Sequence, residues 1–285
     1  MKYRSIGAVE VYEIGLGAMP MSIEGRPGDE SRSIATIHAA LDAGVTLIDT
    51  ADAYSLGDAE EAGHNESLVA RALAGHPRRD EVLVATKGGH TRPGGGEWGL
   101  NGSPAYLRRA CEASLRRLGV EAIGLYQFHR PDPSVPYAES IGALADLLDE
   151  GKIRMAGISN ADPEQIEQAN AILGGRLMAV QNQFSPAFRS SEPELDLCTE
   201  LGIAFLPWSP LGGIARAGEL GSRFAPFARI ARDRGVSPQQ VCLAWMLAKS
   251  PVIIPIPGAS RPETITDSAA ASGLRLTEDE LAQLD

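Results

Sequence analysis

The feature that most constrains the fold is a repeat of form: a short apolar run, then a stretch with helical periodicity, again and again along 285 residues. The runs occupy residues 14–17, 45–48, 82–86, 123–128, 153–158, 178–180, 203–206 and 252–254. They are apolar at successive positions, as in parallel strands covered on both faces. Between them, Ile34, Ile37 and Leu41 recur at helical spacing, and so do Leu107, Cys111, Leu115 and Leu118. Ser103-Pro104, Asp162-Pro163 and Ser237-Pro238 read as helix N-caps followed by proline in the first turn. Gln165 and Gln240 stand three residues after two of those caps, the capping-box spacing. Gly44, Gly119, Gly151 and Gly202 each fall between a helix end and a strand start, where a left-handed residue is needed.

Eight strands, most of them followed by a helix, predict a (β/α)8 TIM barrel spanning residues 1–285 as one domain; such barrels typically run to about 250 residues. An N-terminal β-hairpin over residues 3–12, turning near Gly7, precedes it. The rival is a doubly wound open sheet. It lacks its phosphate-binding signature, because Gly15-Leu16-Gly17-Ala18-Met19-Pro20 has no third glycine and Pro20 opens no helix.

A formal net charge of −11 and the lack of any basic stripe argue against a nucleic-acid or anionic-membrane partner. No run of 18 apolar residues suggests a membrane span. Cys111, Cys198 and Cys242 are odd in number and far apart, which suits a reducing cytoplasm better than a disulfide framework. His38, His64, His76, His90 and His129 show no metal-binding spacing, so no metal is expected.

In a barrel, chemistry gathers at the C-terminal ends of the strands. Asp49 and Tyr54 follow the second run, Lys87 the third and His129 the fourth; Ser159-Asn160, Gln181, Trp208-Ser209 and Gly258 to Arg261 follow the fifth to eighth. A tyrosine beside a lysine, with a carboxylate and an imidazole nearby, is equipped to give a proton to a carbonyl oxygen. Long loops at 88–102 and 209–225 lie on the same face and are expected to cover the site. Glycines 94–96 are expected to leave the first of them mobile without ligand.

Ile48-Asp49-Thr50-Ala51-x-x-Tyr54, Thr86-Lys87, Phe128-His129-Arg130-Pro131, Gly157-Ile158-Ser159-Asn160, Gln181 and Trp208-Ser209-Pro210-Leu211 together resemble the aldo-keto reductases, in order along the whole chain. The short C-terminus looks like that of bacterial members. The resemblance implies a metal-free reductase of aldehydes or ketones, using NADP(H) or alternatively NAD(H). Tyr54 would be the proton donor, its pKa lowered by Lys87; Asp49 would pair with Lys87, and His129 would orient the substrate carbonyl. Ser159, Asn160 and Gln181 would hold the nicotinamide carboxamide, Trp208 would stack on its ring, and Ser209 and Leu211 would follow the pyrophosphate. Gly258, Ser260, Arg261, Asp267 and Ser268 would meet the adenosine phosphate end. A lysine frequent near Gly258 and an arginine frequent near Thr264 are absent here. Met19, Met21 and Trp98 would border the substrate. A second implied reading is a cofactor-sensing regulatory subunit on the same fold.

Overall fold

The computed structural model describes residues 3–23, 29–55, 62–94 and 96–285. Seven parallel strands lie side by side in chain order: β1 Leu16–Gly17, β2 Leu47–Asp49, β3 Leu83–Gly88, β4 Ile123–Phe128, β5 Ile153–Ser159, β6 Leu177–Gln181 and β7 Ala204–Phe205. An antiparallel hairpin, Tyr3–Ile6 with Val9–Tyr12, precedes them and turns at Gly7 with φ +55°.

The expected eighth strand makes only isolated bridges, Ile253 to Phe205 and Gly258 to Gly17. They nonetheless close the curled sheet into a barrel. Prolines explain the interruption. Pro255 and Pro257 accept hydrogen bonds from the Gly15 and Gly17 amides at 2.9 and 3.0 Å, but proline has no N–H to return. Each proline leaves one return bond to β1 unmade, and Ala259 makes the next, donating to the Gly17 carbonyl at 3.3 Å. On the other side, Ile254 still donates to Phe205 at 2.8 Å.

Two apolar layers follow from the strand period of two. One lies between sheet and helices. The other fills the barrel: Leu47, Leu83, Ala85, Leu125, Met155, Ala179, Ala204, Leu206, Ile254 and Ile256, with Ile6 and Val11 of the hairpin packed against them. Continuing these inward positions two residues at a time towards the C-terminal ends gives Asp49, Lys87, Gln127, Gln181 and Trp208. The sheet thus stacks a polar tier on an apolar plug.

Ser103 and Ser237 cap their helices, and Asp162 forms a full capping box with Gln165. Gln240 does not complete the second box. Its side chain donates instead to Asp267 Oδ1 at 2.6 Å, a longer-range partner that outcompetes the Ser237 backbone. Gly44, Gly119, Gly151 and Gly202 all have positive φ, as their places past helix ends require. The 88–102 loop contains a small antiparallel ribbon, His90–Thr91 with Gly99–Leu100. Of the glycines expected to be mobile there, Gly95 lies outside the described residues.

Candidate active site

Lys87 is fully buried on β3, a costly place for an ammonium without partners. Its Nζ has three: Asp49 Oδ2 at 2.6 Å, the Thr50 carbonyl at 2.9 Å and the Tyr54 hydroxyl at 3.2 Å. Burial depresses its basicity, but the attractions of Asp49 and Tyr54 outweigh that, and its pKa ends above the ordinary value. Asp49 Oδ1 accepts from Gln181 at 2.8 Å and Gln127 at 3.3 Å. Gln127 escaped the sequence reading. Its signal was there: it is the one amide in the β4 run, two residues before His129.

The outward neighbours hold this tier in place. Thr50 donates to Asn65 and Thr86 to Glu66, both on helix His64–Leu73. Asn65 and Glu66 are therefore structural, fixing the strand ends that carry Asp49 and Lys87.

Tyr54 and His129 face each other edge to face, ring centroids 5.8 Å apart. Both are almost wholly buried. Lys87 lowers the Tyr54 pKa as expected, but it does not set the net direction. Burial raises it more than Lys87 lowers it, so the net shift is upward and the phenol keeps its proton at neutral pH. Burial, reinforced by Lys87, His90 and Arg130, pushes the His129 pKa well down, so its ring is neutral. Nδ1 of His129 is buried and has no partner among the described residues. A buried N–H left unpaired is costly, so the ring proton belongs on Nε2.

These residues open into a cavity of about 480 Å³, lined also by Met19, Trp98, Ser159, Asn160, Trp208, Ser209 and Leu211. Met21 does not reach it. It packs in the core between sheet and helices, because the 3₁₀ turn Met19–Met21 presents only its first two residues to the cavity. A second cleft of about 580 Å³ shares Pro20, Leu211, Ile214, Ala217 and Gly258 with the first. Its walls include Ser260, Arg261, Asp267 and Ser268. They also include Arg32 of helix Glu30–Asp42, which the sequence reading missed because nothing local ties that helix to the last one. Asp267 is occupied: Oδ2 accepts from Ser237 at 2.7 Å and Oδ1 from Gln240. Arg261 is the N-cap of helix Pro262–Ala270 but makes no capping bond with its side chain.

The two spaces adjoin along the five residues they share, one reaching Tyr54 and the other the start of helix Pro262–Ala270. The sequence profile of the Aldo/keto reductase family matches residues 13–285. The chain belongs to the aldo/keto reductase family. It is an oxidoreductase.

An uncharacterised oxidoreductase of Schizosaccharomyces pombe is 35% identical over 285 residues, covering 98% of this chain and 88% of that protein. The solved glycerol dehydrogenase of Gluconobacter oxydans superposes with a TM-score of 0.84 at 29% identity, covering 99% of this chain and 93% of its own. An aldo/keto reductase of Klebsiella pneumoniae, solved with NADP and acetate, gives 0.81 at 29% identity, with coverages of 97% and 91%.

Proposed function

We propose that this aldo/keto reductase interconverts an aldehyde or ketone and its alcohol with NADP(H), Tyr54 giving and taking the proton. The observation that carries the reading is Lys87 Nζ, bonded at once to Asp49 and to the Tyr54 hydroxyl inside the cavity.

The two adjoining clefts suit the cofactor chemically. Gln181 commits Nε2 to Asp49 and Gln127, which leaves Oε1 as an acceptor for a carboxamide N–H. Ser159 donates to the Gln181 carbonyl at 2.7 Å, and Asn160 donates to Ser159 and to the His129 carbonyl, so these two hold the strand ends around that amide. Trp208 Nε1, in the same wall, is buried with no partner among the described residues. Ser209, in the cavity wall, has φ +51°, a strained conformation that turns the chain just past Trp208. Gly258 offers backbone only: a Cβ there would meet Pro20 Cγ at 2.8 Å. When bound, the reduced nicotinamide supplies a hydride to the carbonyl carbon.

The protein supplies position and proton. The neutral His129 Nε2–H and the Tyr54 O–H both donate towards the substrate oxygen. As negative charge grows on that oxygen, Tyr54 releases its proton, and the nearby ammonium of Lys87 stabilises the phenolate left behind. Asp49 holds Lys87 charged. In the oxidising direction Tyr54 must act as phenolate. Because its pKa lies above the ordinary value, alcohol oxidation should rise steadily with pH through the alkaline range, whereas reduction should stay level until Tyr54 ionises. Rate profiles in both directions test this; an oxidation rate flat from neutral to alkaline pH, with chemistry limiting, would count against Tyr54. The function itself is tested by following reduced-nicotinamide absorbance with a panel of aldehydes and ketones.

Cofactor choice follows from the second cleft. Arg261 can make charge-assisted bonds to a 2′-phosphate, and Arg32 adds a second cation there. Glu263 works against them in the same cleft, while Asp267 is held by Ser237 and Gln240. Arg261→Ala should weaken NADPH binding roughly tenfold, about 1.4 kcal/mol, and spare NADH. Dissociation constants from tryptophan fluorescence decide it; equal weakening of both cofactors would remove Arg261 from phosphate recognition.

A further inference from the structure

His90 belongs to none of the roles above, yet it sits against the reacting centre. It lies two residues past β3, where Gly89 turns the chain with φ +114° and a side chain would strike the Phe128 ring. The ring of His90 packs edge-on against His129, centroids 4.3 Å apart, and against Trp98 at 5.3 Å. Its backbone is pinned as well: the carbonyl accepts from the Tyr106 hydroxyl at 3.2 Å.

The tautomer is fixed by its partner. His90 Nδ1 lies 3.1 Å from the Gly99 carbonyl, across the ribbon. A carbonyl can only accept, so Nδ1 carries the proton. Burial holds the His90 pKa below the ordinary value, and the neutral ring then has an acceptor lone pair on Nε2. His90 lines the cavity together with Tyr54 and His129. The cavity therefore offers two donors for the carbonyl oxygen and, next to them, an imidazole nitrogen able only to accept.

A plain aldehyde uses the donors and leaves that nitrogen unpaired once water is displaced. A hydroxyl on a neighbouring carbon satisfies it. We propose that His90 is a specificity-determining residue whose Nε2 accepts a hydrogen bond from a substrate hydroxyl one or two carbons from the reacting carbonyl. The substrates favoured are hydroxyaldehydes and hydroxyketones, and their polyols in the reverse direction. A site built to bond a hydroxyl discriminates strongly against the analogue lacking it, because its own polar group is left unpaired. Trp98, packed on the outer side of His90 and partly exposed, offers an aromatic face to the C–H groups of such a substrate.

This inference rests on the carbonyl-reductase reading, and one experiment separates the two. The catalytic efficiency kcat/KM is measured for glyceraldehyde and for propanal, which share a carbon skeleton and differ in hydroxyls. Wild type should favour glyceraldehyde at least tenfold. His90→Phe should lower the glyceraldehyde-to-propanal ratio tenfold or more, and His90→Gln, which keeps an acceptor oxygen, should restore part of it. The ratio cancels any general disturbance of the neighbouring His129. A wild-type ratio near one, a ratio unchanged in His90→Phe, or a glutamine variant no better than phenylalanine would each overturn the role of His90 while leaving the reductase reading standing. Turnover of neither aldehyde by wild type would overturn both.

Discussion

Replacing Tyr54 with phenylalanine should cut kcat for carbonyl reduction by about 10²–10⁴-fold, the usual contribution of a positioned general acid. The change is narrow. The ring keeps its edge contact with His129 and its place beneath the Lys87 ammonium, 5.0 Å from the ring centre. Lys87 loses one of three hydrogen-bond partners and keeps Asp49 and the Thr50 carbonyl. Folding and the cofactor cleft should therefore be nearly untouched, and NADPH should bind as it does to wild type. Single-turnover kinetics with cofactor titration makes the test. A variant retaining more than about a tenth of wild-type kcat, with chemistry limiting, would fall far short of the usual general-acid contribution and remove Tyr54 from the proton-donor role.

Much of this site is written in the sequence because the fold turns strand ends into a ring. Asp49, Lys87, Ser159 and Gln181 each close an apolar run, so a linear reading finds them, and the parallel barrel brings them together. The barrel itself was legible from the glycine and proline punctuation, since Gly44, Gly119, Gly151 and Gly202 do adopt positive φ. What escaped depends on partners distant in sequence. Gln127 is polar within an apolar run, and only the register that sets Lys87 opposite it on β4 shows that both face inward. His90 acquires its tautomer from Gly99, across a ribbon hidden inside an apparent loop. Gln240 follows Asp267 instead of its own helix cap. The eighth strand was read from Val252-Ile253-Ile254, but Pro255 and Pro257 decide what its edge can donate. The Tyr54 pKa escaped because spacing shows which charges are near and not how deeply a phenol is buried.

Lys87→Met separates charge from packing, and its expected effect is large on two measurements. Among the described residues, the substitution leaves the buried Asp49 only the Gln127 and Gln181 amides as side-chain donors. Breaking a buried pair from one side typically costs about 3–5 kcal/mol, so the thermal midpoint should fall by many degrees. Activity should fall too, for a different reason. Lys87 is the strongest influence lowering the Tyr54 pKa, and without it burial and the now unpaired Asp49 push the phenol further up. The alkaline rise of alcohol oxidation should move to higher pH or out of reach. Adding Asp49→Asn to the same chain removes the stranded carboxylate. Stability should then recover most of the loss, because replacing both members of a buried pair is often close to neutral, while activity should stay low because the cation beside Tyr54 is still absent. A double variant that regains both stability and activity would mean that Lys87 serves the fold alone. One that regains neither would mean that the amides cannot settle into the space the ion pair leaves. Recovery of stability without recovery of rate is the result expected of a buried ion pair whose charge acts on its neighbour.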